Sequence, residues 1–134
     1  MKWLRPSTVA ACEAEMARRG VAAVARGAKR GATLYGFMEG YLRWGRPWGS
    51  FPARPGETWA QRRAGFLARH LAQVEKNAEP LWRPDGSPTD RHLALVAWAY
   101  SPEPARLLHW INGIRDTPPA KPRRPVRPSS TPRR

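Results

Sequence analysis

Trp59, Phe66, Leu67, His70, Leu71 and Val74 recur at the three- and four-residue intervals that put side chains on one face of an α-helix. Thr58 stands three residues before Gln61, the spacing of a capping box, in which a side-chain oxygen takes a first-turn N–H and the glutamine returns the bond. Together these predict a helix from Trp59 to Asn77. Between Ser7 and Arg30, Val9, Cys12, Met16, Gly20 and Val24 fall on one side of a helical wheel, with Arg18, Arg19, Arg26, Lys29 and Arg30 on the other. This predicts an amphipathic helix, in which Gly20 and Gly27 each cost about 1 kcal/mol relative to alanine and mark places to break or to pack closely. The stretch "ATLYGFMEGYLRW" is apolar enough for a mostly buried helix, where Gly36 and Gly40 would let another helix approach.

Gly45 to Glu57 holds three prolines and three glycines, which excludes helix and central strand and predicts a long Trp- and Pro-rich loop. Loops of that length are uncommon in compact domains unless functional or packed on themselves. Asp85-Gly86 marks a turn. Ser87-Pro88-Thr89-Asp90 then offers an N-cap, a first-turn proline and an acid, predicting a helix from Pro88 to Tyr100. Ser101-Pro102-Glu103 repeats the signal and Asn112-Gly113 supplies a stop, predicting a helix from Pro102 to Ile111. A helix-turn-helix is weighed for this pair, but the turn lacks glycine and only Arg106 and His109 offer base-reading groups, so a plain helical corner is preferred. The fold class is therefore all-α: four or five helices over residues 1–114. From Arg115 to Arg134 the chain is basic and proline-dense with Val126 its one large aliphatic, which predicts a disordered tail.

Charge changes the picture. The chain carries +14, with twenty arginines against four lysines. The last twenty residues account for +6 and the first 114 for +8, so the basicity is not confined to the tail. A soluble domain needs a net charge of only about 2–8, and the excess points to a polyanionic partner, nucleic acid (DNA or RNA) or an acidic protein surface. Cys12 is the one cysteine, which rules out an intrachain disulfide and a Cys-rich zinc site and favours a reducing, cytoplasmic setting. No stretch approaches the roughly 20 apolar residues of a membrane span. Pro6, Glu13 and Glu15 interrupt what a secretion signal would need.

Candidate chemistry is sparse. His70, His92 and His109 form no metal-ligand spacing. His70, inside an apolar face, is read as a core histidine, and His92 and His109 as surface or boundary groups. Glu39, in an apolar stretch, requires a partner. Arg63, in the middle of the Trp59–His70 face, is the natural one, and the pair is read as a structural salt bridge. An enzyme built on Glu39, Arg63 and a histidine is the minor alternative, and no cofactor is implied. Cys12 is read as an inert packed thiol.

Binding features are more numerous. Arg62, Arg69 and Lys76 recur every seven residues, a stripe of about 20 Å. Arg19, Arg26 and Arg30 make a similar stripe on the first helix. Gly45-Arg46-Pro47 matches the centre of an AT-hook over three residues, but Trp44 stands where arginine is required, and the tail's Arg123-Arg124 run lacks the glycine. A strict AT-hook is rejected. Trp44, Trp48, Phe51 and Trp59 are read instead as folded back on the helices, with Arg43, Arg46 and Arg54 outward; stacking on unpaired bases is the alternative. The expectation is a non-enzymatic, DNA- or RNA-binding protein of weak sequence preference, using Arg62, Arg69, Lys76, Arg19, Arg26, Arg30, Arg43, Arg46, Arg123 and Arg124. The competing reading is a small adaptor, inhibitor or structural particle subunit that docks on an acidic protein. The short, Trp- and Arg-rich chain fits a phage or mobile-element accessory protein.

Overall fold

Gly20, at φ 68°, ends the first helical stretch, as a residue without Cβ is free to do. That stretch is itself divided at Cys12 into α1 (Pro6–Ala11) and α2 (Glu13–Arg19). The computed structural model describes residues 2–21, Ala25 and residues 35–116. The predicted continuation of the first helix to Arg30, with Arg26, and the predicted tail, with Arg123 and Arg124, lie outside the described residues, apart from Ala25 and from Arg115 and Asp116, which are helical where the tail is predicted to begin.

The second predicted helix is α3 (Phe37–Trp44), which buries Phe37, Met38, Gly40 and Tyr41. Gly40 permits a close approach, though by a side chain and not by a helix: a Cβ there would lie 2.0 Å from the Trp48 indole. The predicted loop is more ordered than its composition implies. A 3-10 turn (Arg46–Ser50) leads into β1 (Pro52–Arg54), which pairs antiparallel with β2 (Glu57–Thr58) around Gly56 at φ 83°. The all-α expectation is corrected to that extent. Both strands are edges, so Pro52 removes no ladder bond that a neighbour requires.

α4 (Trp59–Asn77) matches its predicted span, and both arms of its capping box are present: Gln61 N donates to Thr58 Oγ1 at 3.2 Å and Thr58 N to Gln61 Oε1 at 2.9 Å. α5 (Asp90–Val96) starts two residues later than predicted, on Thr89. Asp85 has claimed the earlier cap, because Ser87 N and Oγ both donate to its Oδ1, at 2.9 and 2.6 Å. α5 also stops short of Tyr100, because Ala99 takes φ 62°. α6 (Pro104–Asp116) runs through Asn112-Gly113, where glycine remains helical at a cost of only about 1 kcal/mol. Among the described residues there are thus six α-helices and one two-stranded sheet.

Phe37, Met38, Tyr41, Leu93, Trp98 and Leu107 sit in the buried core. Arg63 reaches the same interior, 3% exposed. Its Nε donates to Trp98 O at 2.6 Å and its Nη2 to Lys2 O at 2.8 Å and Ala99 O at 3.0 Å. Ala99 O also accepts Leu4 N at 2.7 Å. One guanidinium thus ties the N-terminal segment and the turn after α5 to α4. The predicted Glu39–Arg63 salt bridge does not form: Glu39 is exposed on α3, and the charge is satisfied by carbonyl dipoles instead. Among the described residues no helix is long and apolar enough to cross a membrane.

Candidate nucleic-acid interface

The loop between α3 and α4, with the helix ends that flank it, is arginine-rich and aromatic: residues 43–63 hold five arginines against Glu57. Its tryptophans divide into two kinds. Trp48 and Trp59 are each 3% exposed and stack on one another, centroids 5.7 Å apart at 23°. Trp44 and Phe51 are 44% and 47% exposed. The predicted inward packing therefore holds for Trp48 and Trp59 and is corrected for the other two. Trp44 stacks on Trp48 at 5.3 Å and 18°, and Phe51 leans on Trp48 at 5.2 Å. Trp44 and Phe51 are themselves nearly parallel, 6.3 Å apart at 18°.

The buried rings carry the exposed ones. Trp48 is pressed against Gly40, Trp59 continues to Trp98 at 6.3 Å, and Trp98 stacks on Phe37 at 4.9 Å and Phe66 at 4.8 Å. The indole N–H groups of Trp48 and Trp59 are buried without an acceptor, each costing about 1–3 kcal/mol. Burial of about 150–250 Å² per tryptophan, at about 25 cal/mol/Å², returns about 4–6 kcal/mol and outweighs that cost.

Guanidinium groups lie over several of the rings. The Arg43 guanidinium lies 5.5 Å from the Trp44 ring and 5.2 Å from Tyr35. Arg46 lies 4.5 Å from Trp3, whose ring also carries Arg63 at 4.0 Å. Burial first, then the nearby Arg46 charge, draws Arg63 down to about 10. Arg62 sits 5.9 Å from Trp59 and 3.8 Å from Glu57 Oε1. Arg54 Nε is 3.1 Å from the same oxygen, an ion-pair contact without hydrogen-bond geometry. Arg69 and Lys76 are exposed farther along α4. None of the ion pairs among the described residues takes in Arg43, Arg46, Arg69 or Lys76.

Arg19 belongs elsewhere. Its side chain is 6% exposed, with Nε 2.6 Å from Glu15 Oε2 and Nη1 2.7 Å from Pro88 O and 3.1 Å from Asp90 Oδ1. It locks α2 to the start of α5 and does not form a solvent-facing stripe. Arg91 is similarly engaged, forked on Glu79 at 3.0 Å through both Nε and Nη2 and 2.7 Å from His70 Nδ1.

The histidines also change places. His92, read as a boundary group, is fully buried. Its Nδ1 is 2.9 Å from Leu81 O and its Nε2 2.7 Å from Ser101 Oγ, an arrangement that a neutral ring satisfies by donating to the carbonyl and accepting from the hydroxyl. Burial lowers its pKa and so favours that neutral form. Ser101 Oγ in turn accepts Glu103 N at 3.1 Å, so the pair pins the turn that precedes α6. Ser101 borders a cavity of about 430 Å³ that reaches Lys2, Trp3, Arg5 and Leu108. His70 is half-buried against Phe66 at 3.9 Å, and His109 is exposed. Among the described residues no three His, Cys, Asp or Glu side chains are placed to hold a metal ion.

Sequence reasoning singled out Trp44, Trp48, Phe51 and Trp59 but preferred the wrong placement for Trp44 and Phe51, whose exposure it held only as the alternative. The signal for that exposure was the count of rings in one loop, more than a single buried layer absorbs. Comparison of the chain with family models, curated proteins and solved structures found no match.

Proposed function

We propose that this chain is a non-enzymatic nucleic-acid-binding protein that holds phosphates through arginines of the α3–α4 loop and the exposed face of α4. The observation that carries the reading is the set Arg43, Arg46, Arg69 and Lys76, cations exposed to solvent and outside every ion pair among the described residues. Guanidinium forks suit phosphate oxygens. Arg62, although 3.8 Å from Glu57, is added at the α4 end for its place in the Arg62, Arg69 and Lys76 row. Arg19 leaves the set, because its donors are committed within the fold. Arg26, Arg30, Arg123 and Arg124 stay in the proposal on sequence alone. The setting proposed is cytoplasmic, on the single cysteine, and the role that of a phage or mobile-element accessory protein.

The test is fluorescence anisotropy of labelled DNA and RNA with the full chain across a salt series. Replacing Arg62, Arg69 and Lys76 together by alanine is expected to flatten the log–log slope by about 0.7–0.9 for each phosphate no longer neutralised. Absence of binding, or binding indifferent to salt, overturns the reading. The second reading, docking on a protein, is favoured by Leu108 and Ile114, which leave apolar side chains exposed on α6; the net charge of +14 makes an acidic surface the one it would suit.

A further inference from the structure

We infer that the target of this interface is an unpaired strand, whose bases stack on Trp44 and Phe51. The inference rests on the nucleic-acid reading above and names the substrate class that the same site selects. Trp44 and Phe51 are large aromatics left about half open to solvent, although the chain has an apolar core in which Trp48 and Trp59 are nearly sealed. Their planes are within 18° of parallel and their centroids 6.3 Å apart, so a strand that reaches one ring reaches the other. They are also held in place. Both rest on Trp48, which is fixed between Gly40 and Trp59, and so little side-chain freedom remains to be lost on binding.

Charge selects the occupant. Arg43, on the last turn of α3, lies over the Trp44 ring at 5.5 Å, while Arg46 and Arg54 are exposed on the loop that follows. The nearby carboxylates are Glu57, already set between Arg54 and Arg62, and Glu39, one turn before Arg43 on α3. An exposed aromatic pair with one guanidinium on it, in an arginine-rich segment, matches a polyanion that also presents flat π faces. In a duplex those faces are covered by the neighbouring base pairs, and only unpaired bases offer them. Single-stranded DNA and single-stranded RNA share this chemistry.

The experiment compares anisotropy binding of the full chain to a short labelled single-stranded DNA, an RNA of the same sequence, and the matching DNA duplex. Trp44→Ala and Phe51→Ala are each expected to weaken single-strand binding by roughly 5- to 150-fold, the alanine-scan range for one base–ring stack. The duplex affinity and the salt slope stay as in the parent, and Trp44→Phe retains most of the single-strand affinity. Because both rings are half exposed, these variants keep the fold, which a thermal melt confirms. Weaker binding in the DNA arm, the RNA arm or both supports the inference and tells which strand is bound. Full single-strand affinity in both alanine variants, with binding still reduced by the Arg62, Arg69 and Lys76 replacements, overturns the stacking inference and leaves the phosphate reading standing. Equal weakening for strand and duplex overturns the selectivity. Absence of binding by the parent chain overturns both.

Discussion

Burial holds the Cys12 thiol up to about 12, with the Glu15 charge adding to the effect, so thiolate is scarce at any ordinary pH. The folded chain is expected to resist a thiol-specific disulfide reagent at pH 8 and to react stoichiometrically once unfolded in denaturant; rapid reaction of the folded chain would contradict the packed placement. Arg63 is the opposite case, a charge kept inside because three carbonyls accept from it. Arg63→Met strands those acceptors at about 1–3 kcal/mol each where water does not replace the donor. Urea unfolding should show a lower midpoint, and Arg63→Lys should fail to restore it, since one ammonium cannot copy the guanidinium fork. The need for a buried partner was legible in the sequence, but its identity was not. Glu39 was the nearest carboxylate in an apolar stretch, whereas a carbonyl belongs to every residue and leaves no mark in composition. His92 escaped for the same reason, because one of its two partners is the backbone of Leu81.

Elements were legible where their determinants are local. α4 has its cap and its apolar face within its own span, and its predicted boundaries hold. Thr58→Ala should cost about 1 kcal/mol through removal of the cap, read as a shift in the thermal midpoint. α5 was misplaced because Ser87 and Thr89 compete for one role and Asp85 decides between them. Its end was set from farther away, by the Arg63 hydrogen bonds to Trp98 and Ala99. Gly40 shows how one position couples two elements. Gly40→Ala would put a methyl into the Trp48 indole, an overpacking costing about 1–3 kcal/mol. It should also weaken single-strand binding although Gly40 touches no ligand, because Trp48 is what Trp44 and Phe51 rest on. A variant that lost stability with unaltered binding would separate the two roles.

Among the described residues, several acids are engaged by arginines, while Arg43, Arg46, Arg69 and Lys76 stay outside those pairs. Glu15, Asp90, Glu79, Glu57 and Glu103 each face an arginine. On the acid side of neutrality the pH dependence has one sign. His92 and His70 are pushed down chiefly by burial, so in the unfolded chain, near pH 6.5, they take up protons that the folded chain refuses. Stability then falls as pH drops below about 6.5. For Glu15, burial pulls upward but the Arg18 and Arg19 hydrogen bonds and charges prevail; Glu79 is held down by Arg91 and Asp85 by Ser87. Their contribution, present above the unfolded carboxylate range, is lost as pH falls further. Thermal midpoints should therefore decline steadily from neutral to acid, and His92→Gln should flatten the portion nearest pH 6; a rise on acidification would contradict both assignments. Of the candidate site, Arg43, Arg46, Arg62, Arg69 and Lys76 were legible from spacing and from a proline-rich loop. Arg19 was not, since its partners Pro88 and Asp90 lie far along the chain.

The Arg63 knot has an evolutionary consequence. Its hydrogen bonds to positions 2, 98 and 99 end on main-chain oxygens, which any residue type supplies, so a change at position 2 leaves its bond intact, whereas Trp98 is held by its own ring contacts and Trp3 by the guanidinium over its ring. In a lineage carrying this fold, Arg63 would be retained together with an aromatic ring at position 3, while the residue type at position 2 would vary without loss of its bond.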